Sequence, residues 1–79
     1  MKLPRDIGSQ ELIKKLSVFE YQVSRQVGSH FRLTTSKNGT HHITIPNHKP
    51  IKIGTLASIL KSVSSHFQIS KEEVIRRLF

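Results

Sequence analysis

His30-Phe31-Arg32-Leu33-Thr34-Thr35-Ser36-Lys37-Asn38-Gly39-Thr40-His41-His42-Ile43-Thr44-Ile45 is the stretch that decides the fold. It alternates apolar and polar residues twice, around a turn at Lys37-Asn38-Gly39. Two period-two runs separated by a glycine-bearing turn predict a β-hairpin with strands over 30–36 and 40–45. Phe31, Leu33 and Thr35 fall on one face of the first strand, with His30, Arg32 and Thr34 on the other. His41, Ile43 and Ile45 share a face of the second strand. Directly opposed residues of an antiparallel pair share a face. The apolar sets therefore meet only if paired numbers sum to an even value. That excludes a two-residue Asn38-Gly39 turn and selects a three-residue loop over 37–39, with Gly39 left-handed. Leu33 then opposes Ile43, Phe31 opposes Ile45 and His30 opposes Pro46.

Upstream, Gln26-Val27-Gly28-Ser29 predicts a turn, and 19–25 a further strand. Phe19, Tyr21 and Val23 lie on one side of that strand; Glu20, Gln22 and Ser24 lie on the other. A first helix is expected over 9–16, capped by Gly8 or Ser9, with Glu11 early and Leu12, Ile13 and Leu16 as its apolar stripe. Downstream, Pro46-Asn47-His48-Lys49-Pro50 leaves the sheet, because its two prolines cannot donate to a ladder. Gly54-Thr55 opens a second helix with Thr55 as N-cap, and Leu56, Ile59, Leu60, Val63 and Phe67 keep helical spacing. Ser70-Lys71-Glu72-Glu73 reads as a capping box, followed by a short helix carrying Val74, Ile75, Leu78 and Phe79. The expectation is one α+β domain over 1–79: helix, three antiparallel strands, helix, short helix. The helices cover one sheet face and leave the other open.

Seventy-nine residues can bury only one small core. With no cysteine, neither a disulfide nor a thiolate zinc site braces it. The stretch Met1-Lys2-Leu3-Pro4-Arg5-Asp6 carries no apolar run of the kind a secretory leader needs. No segment approaches the roughly 20 apolar residues of a membrane span. These features lead us to expect a soluble cytoplasmic protein. Thirteen Lys and Arg against five Asp and Glu leave a net charge of +8. Such a balance points to a polyanionic partner: nucleic acid, an acidic protein or anionic lipid. It is also compatible with a protein that is basic only for solubility. A membrane surface is the weakest of these partners, since no long helix sets a basic face against an apolar one.

Few residues are arranged for chemistry. Glu72 and Glu73 are neighbours on a helix and point apart, so no carboxylate pair forms. No phosphate-binding glycine loop is present. No metal site is expected, because His41 and His42 point to opposite faces of a strand and no histidine pair has i, i+4 helical spacing. His30 is the best single acid–base candidate, outward-facing at a strand start after Gly28-Ser29. Arg32 shares its face, and the hairpin register brings Lys49 and Lys52 towards it. Gly54-Thr55 adds a helix N-terminus whose free N–H groups suit a phosphate. Arg25, at the end of the first strand, can reach the same region. From pattern alone His30 reads first as an exposed histidine that only hydrogen-bonds a turn, and the lysines stay open between a phosphate clamp, which the basic total favours, and a solvated loop.

Gly28-Ser29-His30, Ile45-Pro46-Asn47-His48 and Lys52-Ile53-Gly54-Thr55-Leu56-Ala57-Ser58-Ile59-Leu60 together resemble the HicA (YcfA-like) family of mRNA interferase toxins. Glu11-Leu12-Ile13-Lys14-Lys15-Leu16 and Val23-Ser24-Arg25-Gln26 fit the same pattern, so the likeness runs over residues 4–75. The resemblance implies a double-stranded-RNA-binding-domain-like fold and an endoribonuclease acting on mRNA, single-stranded or structured. It implies that His30 is the catalytic histidine and that a HicB-type antitoxin masks the active surface. Ser29, Arg25, Arg32, Lys49, Lys52 and Thr55 are then the candidate RNA- or phosphate-binding residues, and no cofactor is expected. One departure is visible: Val63-Ser64-Ser65-His66-Phe67-Gln68 intervenes where the family usually turns, so the second helix is expected to run about one turn longer.

Three readings follow. The first is RNA cleavage by transesterification, the ribose 2′-OH attacking its own phosphate with His30 moving a proton. The second is a non-catalytic RNA-binding module using the same basic surface. The third is a protein-interaction domain that docks an acidic partner.

Overall fold

The computed structural model describes residues 3–79. Met1 and Lys2, with which the stretch weighed against a secretory leader begins, lie outside the described residues. The order is α1 (Ser9–Leu16), a 3-10 turn (Ser17–Phe19), β1 (Gln22–Val27), β2 (His30–Thr35), β3 (His41–Pro46), α2 (Ile53–Phe67) and α3 (Lys71–Leu78). The three strands form one antiparallel sheet in the order β1-β2-β3. This is the expected α+β, double-stranded-RNA-binding-like arrangement. No helix among the described residues is long and apolar enough to cross a membrane.

The central hairpin has the register that the parity argument requires. Phe31 faces Ile45, Leu33 faces Ile43 and His30 faces Pro46. The ladder closes at Thr35–His41, one pair short of the expected Ser36–Thr40, so five residues lie between the strands; Gly39 takes a positive φ of 96° and Asn38 is left-handed as well. Phe31, Leu33, Ile43 and Ile45 point into the core with Leu12, Leu16, Leu56, Leu60, Val63 and Val74. Thr35 is buried on the same face, its hydroxyl donating to the Phe19 carbonyl at 2.9 Å. Truncating one of these core side chains to alanine costs about 2–5 kcal/mol, a large share of what so small a domain holds.

β1 departs from expectation. Phe19 ends a 3-10 turn and Glu20 is left-handed, so the strand begins at Gln22 instead of residue 19. Phe19 and Tyr21 are buried as expected, but Val23 is 47% exposed. Gln26 and Val27 belong to the strand, and only Gly28-Ser29 make the turn, with Gly28 at φ 58°. A two-residue turn pairs numbers with an odd sum, as Val27 with His30 and Arg25 with Arg32. Val23 nevertheless faces Leu33, an even sum. A β-bulge between Val23 and Arg25 absorbs the extra residue.

α2 starts earlier than expected. Lys52 is its extended N-cap residue, with no side-chain cap, and Thr55 lies in the first turn instead of capping it. The helix runs on to Phe67, the added turn that Val63–Gln68 suggested, and ends at left-handed Gln68. At α3, Ser70 accepts from the Glu73 N–H at 3.1 Å. The Glu73 carboxylate pairs with Arg76 and Arg77 instead of closing the capping box.

Candidate functional site

The bulge determines what the open sheet face carries. Without it, Arg25 would share the side of Tyr21 and Val23. With it, Arg25 sits directly opposite Arg32, two rungs from the Val27–His30 pair. Like charges held opposite each other on a sheet repel by a few tenths of a kcal/mol. Neither arginine has a carboxylate partner among the described residues, and neither do Lys49 and Lys52. The face is thus built around uncompensated positive charge, which a polyanion would relieve.

His30 stands at the end of this face. Its neighbours Thr44 and Pro46 on β3, with His48, Lys52 and Thr55, line a cleft of about 400 Å3. The cleft lies where the sheet edge meets the first turn of α2. The first helical bond runs from Leu56 N–H to the Lys52 carbonyl, so the N–H groups of Ile53, Gly54 and Thr55 precede the ladder. Partial positive charge from those groups adds to the Lys52 ammonium on one wall.

The other expected residues divide. Lys52 and Thr55 reach the His30 cleft; Lys49 does not. The Lys49 stem packs against Gly8, where an added Cβ would stand 3.1 Å from its Cγ, and it lines a separate depression with Ser9, Gln10, Glu11 and Asn47. Arg25 and Arg32 stay on the open face beside the cleft. Ser29 contributes its carbonyl, which accepts from the Asn47 N–H at 2.7 Å and ties the β1–β2 turn to the segment after β3. His48, read from sequence as a loop residue, is the one the pattern missed. The signal was present in the register: His30 opposes Pro46, which leaves His48 two residues beyond it.

Three of the five histidines are engaged elsewhere. His42 Nδ1 bonds Thr34 Oγ1 at 2.8 Å, in a row that continues through Ser24 to the Arg32 carbonyl. His41 and His66 stack at 4.4 Å near the turn end of the hairpin. There His66 Nε2 donates to the Lys37 carbonyl, and His41 Nδ1 meets the Tyr21 hydroxyl at 2.7 Å. Burial pushes the Tyr21 phenol up to about 12. Burial first, then the neighbouring His66 and His42, pull the His41 imidazole down. A depression of about 490 Å3 opens beside this cluster. Its imidazoles are occupied as struts, so the smaller His30 cleft is the better candidate for chemistry. No three His, Asp or Glu side chains converge among the described residues.

A family model described as the HicA toxin of bacterial toxin–antitoxin systems matches residues 9–64, more than two thirds of the chain. The match is narrower than residues 4–75 and ends inside the longer second helix, where the sequence departs from the family pattern. No curated protein and no solved structure gives a match.

Proposed function

This chain belongs to the HicA toxin family of bacterial toxin–antitoxin systems, and from that premise we propose that it is a cytoplasmic endoribonuclease that cleaves mRNA through His30. A HicB-type antitoxin is its partner and covers the cationic face. The observation that carries the reading is the convergence of His30, Lys52 and Thr55 on one cleft, beside the opposed Arg25 and Arg32. Transesterification suits this set, because the nucleophile is the substrate's own 2′-OH and no activated water is needed. His30 moves a proton at the reacting oxygens. Lys52 and the N–H groups at the start of α2 hold the non-bridging phosphate oxygens as charge builds on them. Arg25 and Arg32 bind flanking phosphates, and Ser29 and Lys49 extend that path on either side.

The purified chain is expected to cut RNA in the presence of chelator, to leave a 2′,3′-cyclic phosphate, and to spare DNA. His30→Ala should lose about 10²–10⁴-fold in rate, the usual contribution of a positioned acid or base. Cleavage by His30→Ala at the wild-type rate would overturn the assignment. RNA binding by wild type without any cleavage would instead favour the RNA-binding module.

A further inference from the structure

We infer that His48 is the second proton-transfer group of this cleft, working as an acid–base pair with His30. The inference rests on the RNA-cleaving reading above. Transesterification needs two proton movements. One group takes the proton of the 2′-OH as its oxygen bonds to phosphorus. A second gives a proton to the 5′-oxygen as its bond to phosphorus breaks, leaving a 2′,3′-cyclic phosphate and a free 5′-hydroxyl. Imidazole is the side chain whose ordinary pKa allows either role near neutrality, and His30 and His48 are the two imidazoles lining the cleft.

Two observations separate this pair from the rest. Among the described residues, the side chains of His41, His42 and His66 all make hydrogen bonds within the protein, whereas those of His30 and His48 make none. Their ring nitrogens are therefore free for a substrate. The backbone carrying His48 is also fastened from three sides. Asn47 N–H donates to the Ser29 carbonyl at 2.7 Å, one residue from His30. His48 N–H donates to the Pro46 carbonyl at 2.9 Å, and the His48 carbonyl accepts from Ser9 N–H at 3.0 Å. Ser9 Oγ closes the frame by donating to Asn47 Oδ1 at 2.9 Å. The backbone that carries His48 is thus tied to the turn beside His30, which places the two imidazoles on one cleft, as proton transfer at a single phosphate requires. Since the loop is held by main-chain atoms, the imidazole can be replaced without loosening it.

The test compares wild type, His30→Gln and His48→Gln on a short RNA, with circular dichroism and thermal melting confirming that each variant is folded. The kcat/KM of wild type should be bell-shaped in pH. Each variant should lose one limb and fall about 10²–10⁴-fold. An RNA whose scissile 5′-oxygen is replaced by sulfur, a leaving group that needs no proton, should restore the rate of one variant and not the other. The restored variant identifies the acid. His48→Gln that keeps the bell and changes only KM overturns the pair while His30 stands, provided His30→Gln is inactive. Wild-type cleavage by His30→Gln overturns the RNA-cleaving reading itself and the pair with it.

Discussion

Tyr21 and His41 illustrate how one residue's chemistry can be fixed by its surroundings. The buried phenol keeps its proton and has the His41 Nδ1 as its partner at 2.7 Å. A phenol that keeps its proton can donate to Nδ1, an arrangement in which the imidazole's proton is on Nε2, facing Ser62 Oγ at 3.3 Å. Burial first, and then the neighbouring His66 and His42, disfavour a charge on this imidazole. The native pKa of His41 is accordingly lowered, while the unfolded chain titrates at the ordinary value of about 6.5. The unfolded state binds the proton first, so stability is full above that pH and declines as pH falls through the lowered native value. Urea midpoints should drop as pH falls below about 6.5, and His41→Gln should flatten that slope. An unchanged slope in the variant would mean that another group sets the pH dependence.

At the scale of elements, the two hairpins show what a sequence can and cannot reveal. The β2–β3 pair was legible because apolar alternation on both strands and the Lys37-Asn38-Gly39 loop make the same demand on parity. The β1–β2 pair was not. Its two-residue Gly28-Ser29 turn and its Tyr21/Val23 alternation make opposite demands, and only the bulge reconciles them. Nothing in Ser24-Arg25 signals that bulge, and the start of α2 at Ile53 was similarly hidden because Lys52 caps it without a side-chain bond. The candidate site was legible in part for the same reason. The hairpin register placed His30 and Lys52, and the α2 N-terminus placed Thr55; the same register set His48 two residues beyond Pro46, but the backbone bonds to Ser29, Pro46 and Ser9 that hold it there, and the turn of Lys49 towards Gly8, leave no mark in periodicity. The bulge also has an energetic consequence. Because it sets Arg25 against Arg32, Arg25→Gln should stabilise the free protein by a few tenths of a kcal/mol in urea denaturation, and should weaken RNA binding.

For the whole molecule, the deciding quantity is where its charge is left unpaired. Of thirteen Lys and Arg, three are seen in ion pairs: Lys37 with Glu20, and Arg76 and Arg77 with Glu73. The pairs involve α3 and the hairpin turn, while Lys52 in the cleft and Arg25 and Arg32 on the open face beside it have no partners among the described residues. Lys14, Lys15, Lys61 and Lys71 on the helices also lack ion pairs among the described residues, so it is the sheet position of Arg25 and Arg32 and the cleft position of Lys52 that set these three apart. An acidic antitoxin and an RNA backbone would compete for the same cations, so binding of either should exclude the other. The sharper test is salt. Removing a cation that neutralises one phosphate should reduce the slope of log affinity against log salt by about 0.7 for single-stranded RNA. Arg32→Gln and Lys52→Gln should each flatten that slope by about this amount and weaken binding across RNA sequences alike. Lys71→Gln, at the start of α3, removes the same charge and should leave the slope nearly unchanged, because net charge acts only through the screened long-range field. Equal effects from all three variants would mean that RNA senses the total charge of +8 and that the open face is not its binding surface.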